Sequence, residues 1–231
     1  MQSSIKHFVF DLDDTLYLER HYVHSGFRQV GEEIRNRFGL DHFAAHAWDL
    51  FENGQRRSIF DQALNKLGIP ADPQLVQELV GIYRNHKPQI SLEPDAVHCL
   101  EALAPQCPLA LITDGPVESQ KKKIEALGLH HSIPLRVLTW KWGQEYSKPH
   151  PRAFHFVQQQ LNAEPSECVY VGDNPGKDFA APQSLGWKTV RIRRAGGLHA
   201  CVDSGPCPSD YEFDNLMPVV DLVASAHASS A

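Results

Sequence analysis

The chain has 231 residues, enough for one large α/β domain or for a core domain with a smaller inserted module. Its 42% hydrophobic and 22% charged residues are typical of a globular protein that buries a core. The formal net charge of −6 argues against a general nucleic-acid surface, and the apolar runs are too short to predict a membrane span. The first residues lack the pattern of a signal peptide, so we expect a cytoplasmic protein.

Short apolar runs alternate with helical patterns through much of the chain. The runs predict buried strands at 7–10, 109–112, 136–138, 168–171 and 189–192, with a further short strand from Tyr211. The helical patterns lie near 94–104, 116–128, 151–162, 176–185 and 215–225. Continuous apolar content is typical of parallel strands covered on both faces. The alternation therefore predicts an α/β fold with a Rossmann-like, doubly wound parallel sheet.

The block at 18–88 interrupts this alternation, because it contains helical patterns alone. The patterns lie at 22–38, 41–52, 55–67 and 73–86. In the first of them, apolar residues from Val23 to Phe38 recur at steps of three and four, which predicts one apolar helix face. We therefore expect two domains: a core of residues 1–17 and 89–231, and an inserted α-helical domain of residues 18–88.

Polar residues follow three of the predicted strands. Asp11 and Asp13 follow the first strand, Thr113 and Asp114 the second, and Asp173 the fourth. In an open parallel sheet, ligands bind in the crevice beyond the carboxyl ends of the strands. These residues are therefore candidates for one shared site.

The acids after the first strand predict a metal ion. Residues i and i+2 of an extended chain point the same way, so Asp11 and Asp13 can share a cavity while Asp14 points elsewhere. Converging carboxylates repel one another, and Mg²⁺ relieves that repulsion through oxygen ligands. Mg²⁺ bound by a few carboxylates also has coordination positions for phosphate oxygens, so we expect a small phosphorylated metabolite as the substrate.

Four segments together resemble the motifs of the haloacid dehalogenase-like (HAD) hydrolase superfamily, in that family's order. They are DLDDTL (11–16), ITDG (112–115), SKPHP (147–151) and VGDNPGKD (171–178). The resemblance covers the whole predicted core, and the block at 18–88 resembles the family's inserted cap domain of the first type. It implies a Mg²⁺-dependent phosphatase of the α/β class.

The resemblance implies the reaction chemistry of three residues. Asp11 would be the nucleophile that attacks phosphorus and forms an aspartyl-phosphate. Asp13 would be the general acid for the leaving alcohol and then the base for the hydrolytic water, and its backbone carbonyl would bind the metal. Lys148 would neutralise charge on the nucleophile and on the transferring phosphoryl group.

It also implies the binding residues. The Thr113 hydroxyl and the Asp114 amide would bind phosphoryl oxygens together with Lys148. Asp11 and Asp173 would bind Mg²⁺ directly. Asp178 would be a ligand or would support one, and the alternative that it only stabilises a helix N-terminus stays open. Asn174 is a further candidate contact.

The sequence narrows the choice of family member without naming a substrate. Haloacid dehalogenases carry no acid at the place of Asp13, because no leaving alcohol needs a proton. A phosphomutase, which returns the phosphoryl group to its substrate, stays an alternative, as does a binding protein without turnover on the same fold. The pattern GxExxKP in GQEYSKP (143–149) resembles members of carbohydrate metabolism, which favours a sugar phosphate or a nucleotide-like metabolite. A monomer and a homodimer are both open.

Several nearby residues are expected to have no part in the chemistry. Asp14 is expected to be a bystander, and Thr15 to support its loop by hydrogen bonding. The three lysines at 121–123 are expected on a solvated helix face. Substrate choice is expected to lie in the helical block. The side chains of Tyr17, His21, His24, Arg56 and Arg57 could face the site, but they are expected to be exposed or to pack within that block.

Overall fold

Six parallel strands form one sheet in the computed structural model, which describes residues 5–205 and 207–224. The strands are β1 His7–Phe10, β2 Leu109–Thr113, β3 Leu135–Leu138, β4 Cys168–Gly172, β5 Lys188–Ile192 and β6 Tyr211–Phe213. Their order is β3-β2-β1-β4-β5-β6, and each neighbouring pair is parallel. The predicted Rossmann-like α/β sheet is thereby confirmed, with β1 at its centre.

The helices follow the predicted pattern with a few differences: the helix predicted at 55–67 begins only at Ile59, and a short helix at Leu129–Ser132 was not predicted. In chain order they are α1 Glu19–Phe38, α2 Phe43–Glu52, α3 Ile59–Lys66, α4 Pro73–Asn85, α5 Pro94–Leu103, α6 Val117–Ala126, α7 Leu129–Ser132, α8 Arg152–Leu161, α9 Ala180–Ser184 and α10 Asp221–Ala224. Among the described residues, no helix combines the length and the apolar composition that crossing a bilayer demands.

Two further differences have local causes. The helix predicted at 176–185 begins only at Ala180, because the preceding residues close a turn in which the amides of Lys177 and Asp178 donate to the Asn174 carbonyl. The helix predicted at 215–225 is divided near Pro218, which has no amide hydrogen, into a 3₁₀ turn Met217–Val219 and α10. Residue 225 lies outside the described residues.

The chain divides into two compact units, Met1–Glu19 with Ser91–Ala231 and the intervening Arg20–Ile90. The first, here called the core unit, contains the sheet, and the second, the helical unit, contains nearly all of α1 together with α2, α3 and α4. The sequence predicted divisions after residues 17 and 88. That the helical unit acts as a cap domain stays a prediction.

The sheet of the core unit is buried on both faces. Phe8, Val9 and Phe10 are completely buried in β1. On one face, Phe154 packs edge-on against Tyr170 and Trp187, with ring centroids 5.0 and 5.7 Å away. Full burial of such a side chain contributes about 2 kcal/mol. The apolar strands therefore hold the residues at their carboxyl ends in fixed positions.

The helical unit has an aromatic centre on the predicted apolar face of α1. The Phe27 ring lies 6.0 Å from Phe60 and 5.8 Å from Tyr83. Gly26 permits this packing, because a Cβ there would lie 2.4 Å from the Tyr83 ring. Phe38, expected on the same face, is instead 44% exposed at the end of the helix.

Candidate active site

The three polar strand ends meet at one edge of the sheet. β1 lies between β2 and β4, and its last residue, Phe10, pairs with Leu111 and Val171. The next residues of the three strands are therefore neighbours in space. This register brings together Asp11, the pair Thr113 and Asp114, and Asp173, as the sequence predicted.

Three buried carboxylates converge at this edge. Asp11, Asp173 and Asp178 each offer an oxygen atom, and these atoms lie within 4.8 Å of one another. Gly172 makes room for the group, because a Cβ there would lie 2.5 Å from Asp178 Oδ2. Burial raises the pKa of Asp11 to about 6 although Lys148 opposes the shift. Burial, followed by the charges of Asp178 and Asp11, raises the pKa of Asp173 well above its usual range.

One buried ammonium group partly compensates these acids. Lys148 Nζ lies 2.7 Å from Asp11 Oδ1 and 2.9 Å from Asp178 Oδ1, and it donates to the Tyr170 hydroxyl at 2.8 Å. Burial acts to lower the pKa of Lys148, but the Asp11 and Asp178 charges outweigh it and raise that pKa well above its usual value. Lys148 is therefore cationic. Tyr170 was missed by the sequence analysis, because it lies within an apolar strand and is typical of a core residue.

The donor set fits a divalent cation. Three carboxylates converge beside the Lys148 ammonium, while the nearby Lys177 ammonium is paired with a fourth carboxylate, that of Asp114. This leaves an excess of negative charge in a buried space, and such charge requires compensation. Among the described residues, none donates a hydrogen bond of good geometry to Asp178 Oδ1, although Lys148 Nζ is near it. A hard cation such as Mg²⁺ takes carboxylate oxygens of this kind.

The Asp13 carboxylate lies apart from this acidic group. Its Oδ1 is 2.7 Å from Lys123 Nζ and accepts a hydrogen bond from the Tyr17 hydroxyl. Tyr17 is completely buried in the core unit, so the expectation that it is exposed or packs within the helical block is wrong. Burial would raise the pKa of Asp13, but the Lys123 charge and the hydrogen bonds outweigh burial and lower it. Because the carboxylate is engaged in this way, the predicted metal contact of Asp13 depends on its backbone carbonyl and stays a prediction.

The expectation of a solvated face for the lysines at 121–123 is wrong for Lys123. Its side chain is only 3% exposed. A signal for this was present in the sequence: Gln120, Lys123, Ile124 and Leu127 are spaced by three and four residues, so Lys123 lies on the buried face of α6.

Thr113 is buried and lies beside Gln120. Its Oγ1 donates to Gln120 Oε1 at 3.2 Å, and Gln120 Nε2 lies 3.4 Å from Asp13 Oδ2. Gly115 has a φ of +122°, and a Cβ there would lie 2.8 Å from Gln120 Nε2. The glycine of ITDG therefore allows Gln120 to reach between Thr113 and Asp13.

The Asp114 side chain connects the end of β2 with the segment 147–151, which contains Lys148. It accepts from Thr139 Oγ1 at 2.7 Å and from the Lys148 amide at 3.2 Å. Lys177 Nζ lies 3.2 Å from its other oxygen, Oδ2. Lys177 adds a second cation to this edge, which the sequence analysis did not anticipate. The predicted binding of phosphoryl oxygens by the Asp114 amide is compatible with this side-chain geometry and stays a prediction.

Asp14 anchors its loop, and the expectation that it has no part in the chemistry stays a prediction. It has a φ of 56°, and its carboxylate accepts from the amides of Glu19 and Leu198, both at 2.8 Å. The expectation for Thr15 is wrong for its hydroxyl, which has no hydrogen-bond partner among the described residues. The Thr15 carbonyl instead accepts from Arg194 Nη2 at 2.8 Å.

Asn174 is turned toward a neighbouring loop. Its Nδ2 lies 2.9 Å from His199 Nε2, and its Oδ1 accepts from the Gly176 amide at 2.9 Å. It also closes the turn that holds Asp178, since the Asn174 amide donates to Asp178 Oδ2 at 2.9 Å. A metal contact of Asn174 stays a prediction.

The helical unit contains a basic cavity of about 360 Å³. His21 and His24 lie on its wall, and the His24 ring packs edge-on against Trp48 at 5.0 Å. The remaining lining residues are Arg20, Ser25, Arg28 and Gln89. Arg56 instead packs over the Phe51 ring at 4.1 Å, as expected of a residue that packs within the helical block.

Comparison with known proteins agrees with this geometry. The sequence profile described as haloacid dehalogenase-like hydrolase matches residues 5–186. A glyceraldehyde 3-phosphate phosphatase of Methanopyrus kandleri is 29% identical over 235 residues, covering 95% of this chain and 97% of the relative. A phosphoserine phosphatase of Thermus thermophilus is 32% identical over 186 residues, covering 80% of this chain and 67% of the relative.

Among solved structures, the HAD hydrolase YfnB of Bacillus subtilis, crystallised with bound magnesium, is similar with a TM-score of 0.72. The match covers 96% of this chain and 99% of that one at 19% identity, a level that supports the fold alone. The profile match spans most of the chain, so this protein belongs to the haloacid dehalogenase-like hydrolase family, as its four motifs predicted.

Proposed function

We propose that this chain is a Mg²⁺-dependent phosphatase that hydrolyses a small phosphomonoester through an aspartyl-phosphate. The observation that carries the proposal is the convergence of Asp11, Asp173 and Asp178 on the buried ammonium of Lys148. The phosphatase names of two relatives that match most of this chain support the same reaction class. Both of those relatives are named for small phosphorylated metabolites, which supports a sugar phosphate or a similar molecule as the substrate.

Each residue has a role that its position allows. Asp11 attacks phosphorus, and Lys148 holds the nucleophile and neutralises the charge that gathers on the phosphoryl oxygens. Asp13 protonates the leaving alcohol and then removes a proton from the attacking water. The Asp114 amide binds a phosphoryl oxygen, and the Thr113 hydroxyl binds another when it exchanges its hydrogen bond to Gln120 Oε1 for one to the substrate.

The carboxylates of Asp11, Asp173 and Asp178 would hold Mg²⁺, with the Asp13 carbonyl as a fourth ligand. The ion would neutralise phosphate charge and lower the barrier to attack by an anionic nucleophile. We also assign the helical unit the role of a cap domain, and the cavity lined by Arg20, Arg28 and Trp48 suits a substrate with an anionic or polar group.

The test is turnover of a phosphomonoester panel, including p-nitrophenyl phosphate, with Mg²⁺ and with the metal chelated. We expect phosphate release that requires Mg²⁺. In Asp11→Asn its rate should fall below about one thousandth of the wild-type rate. Intact-mass analysis after acid quench should detect a phosphoryl adduct that Asp11→Asn lacks. Asp203→Asn, a change at an exposed acid of the same unit, should retain full activity. A wild type that hydrolyses no member of the panel would refute the proposal.

A further inference from the structure

Two lysines of the run at 121–123 have opposite environments. Lys121 is exposed and pairs with Glu118 at 2.6 Å on the surface of α6. The Lys123 side chain is 3% exposed, and its Nζ lies 2.7 Å from Asp13 Oδ1. Because burial of an ammonium is costly without a partner, the Asp13 carboxylate stabilises Lys123 in this buried position.

The two carboxylate oxygens of Asp13 differ in their hydrogen bonds. Oδ1 accepts from both Lys123 Nζ and the Tyr17 hydroxyl. Within the part of the chain that the structure describes, the contact at Oδ2 is longer, 3.4 Å from Gln120 Nε2. An oxygen that accepts two hydrogen bonds is poorly placed to carry a proton, so Oδ2 is the oxygen that can transfer one.

We propose that Lys123 is a positioning residue for leaving-group protonation, since by fixing Oδ1 it presents Oδ2 of Asp13 to the ester oxygen of the substrate. The inference rests on the proposed phosphatase reaction and adds the residue that orients its acid. Asp11 forms a bond to phosphorus while the P–O ester bond breaks, and the electron pair of that bond stays on the ester oxygen. That oxygen takes the proton from Asp13 Oδ2 and leaves as the alcohol. Asp13 remains as a carboxylate beside the Lys123 ammonium.

This role predicts a dependence on the leaving group. An alcohol of low pKa can depart as its anion, whereas an alcohol of high pKa needs the proton. Loss of this positioning should therefore lower kcat/KM mainly for substrates whose leaving alcohol has a high pKa. The quantity to follow is kcat/KM, because it reports the steps up to ester cleavage and is insensitive to later hydrolysis of the intermediate.

The experiment uses p-nitrophenyl, phenyl and p-methoxyphenyl phosphates, which are similar in size, with Mg²⁺. Lys123→Met should lower kcat/KM for phenyl phosphate by about 10- to 100-fold and for p-nitrophenyl phosphate by less than about threefold. Lys121→Met, on the same helix, is the matched control and should change neither value. Lys123→Arg, which keeps the charge, should recover part of the loss.

A second variant keeps the test decisive if Lys123→Met does not fold. Tyr17→Phe removes the other donor to Oδ1 without a change of charge, and it should give the same selective loss to a smaller extent. An equal loss of kcat/KM across the three substrates in the folded variants would overturn the inference and leave the phosphatase proposal intact. A wild type without turnover of any of them would overturn both.

Discussion

Lys148 Nζ lies 2.7 Å from Asp11 Oδ1, and both side chains are almost completely buried. The two residues lie 137 positions apart in the sequence, yet they form the centre of the candidate site. The pair places a fixed positive charge beside the carboxylate that we assign as the nucleophile. Such preorganised charge stabilises a transition state without reorganisation of water.

Lys148→Met should lower both the activity and the stability of the metal-free protein. Loss of the ammonium should lower kcat by about 10²- to 10³-fold, a range typical of one preorganised electrostatic group. It also leaves Asp11 and Asp178 without their cation, so the free energy of unfolding should fall by about 3 kcal/mol without metal. Mg²⁺ should restore part of that loss. Urea unfolding with and without Mg²⁺ measures the effect, and Lys141→Met, at an exposed position, is the control.

Mg²⁺ affinity should fall as the pH falls through about 6. Burial raises the pKa of Asp11 to about 6 and that of Asp173 well above its usual range, so protons compete with the ion there. Calorimetric titration with MgCl₂ between about pH 8 and about pH 5.5 measures the dependence. Asp173→Asn should abolish binding, whereas Asp203→Asn should leave it unchanged. An affinity that is independent of pH over this range would contradict the prediction.

The stability of the metal-free protein should change with pH in the opposite direction to the Mg²⁺ affinity. The folded-state pKa of Asp11 is above its unfolded value, so its ionisation destabilises the fold as the pH rises from about 4 through about 6. Asp173→Asn removes one of the repelling carboxylates and should therefore raise the metal-free melting temperature near neutral pH. The same variant should show no melting shift with Mg²⁺. A metal-free melting temperature below that of the wild type would show that carboxylate repulsion does not limit stability.

The sequence predicted the parts of this molecule that depend on local pattern and strand order. Buried runs at the strands and acids at their ends were sufficient to predict the sheet and the gathering of Asp11 and Asp173. The family resemblance contributed Lys148, which no local pattern distinguishes from a surface lysine. Its contact with Asp11 arises from tertiary packing.

The contacts of the supporting residues could not be predicted in the same way. Tyr170 has the pattern of a core residue, and only its hydroxyl, at 2.8 Å from Lys148 Nζ, connects it with the site. Lys123 was misassigned because three successive lysines are typical of a solvated surface. The periodicity of α6 distinguishes it from Lys121, which shows that helix phase is more informative than local charge at this position.

Gly172→Ala should weaken metal binding through Asp178. The added Cβ would lie 2.5 Å from Asp178 Oδ2, so that carboxylate must move away from the acidic group. We expect Mg²⁺ affinity to fall about 10- to 100-fold, as when a supporting contact of a metal ligand is lost. Gly81→Ala, at a helical position with open space, is the matched control and should bind Mg²⁺ normally. Unchanged affinity in Gly172→Ala would show that Asp178 has no role in the metal site.

The Asp95 carboxylate should stabilise the core unit in a pH-dependent way. Arg194 Nη1 and Nη2 lie 2.7 and 2.8 Å from its two oxygens, and Nη2 also donates to the Thr15 carbonyl. Burial would raise the pKa of Asp95, but hydrogen bonds from Arg194 and the Leu216 amide lower it. Its stabilisation is therefore complete above its unfolded pKa of about 3.9 and is lost as the pH falls through the lowered folded value. Asp95→Asn should cost about 2 kcal/mol by urea unfolding near neutral pH, with the difference narrowing below about pH 4. A difference that is constant with pH would exclude this ion pair as its source.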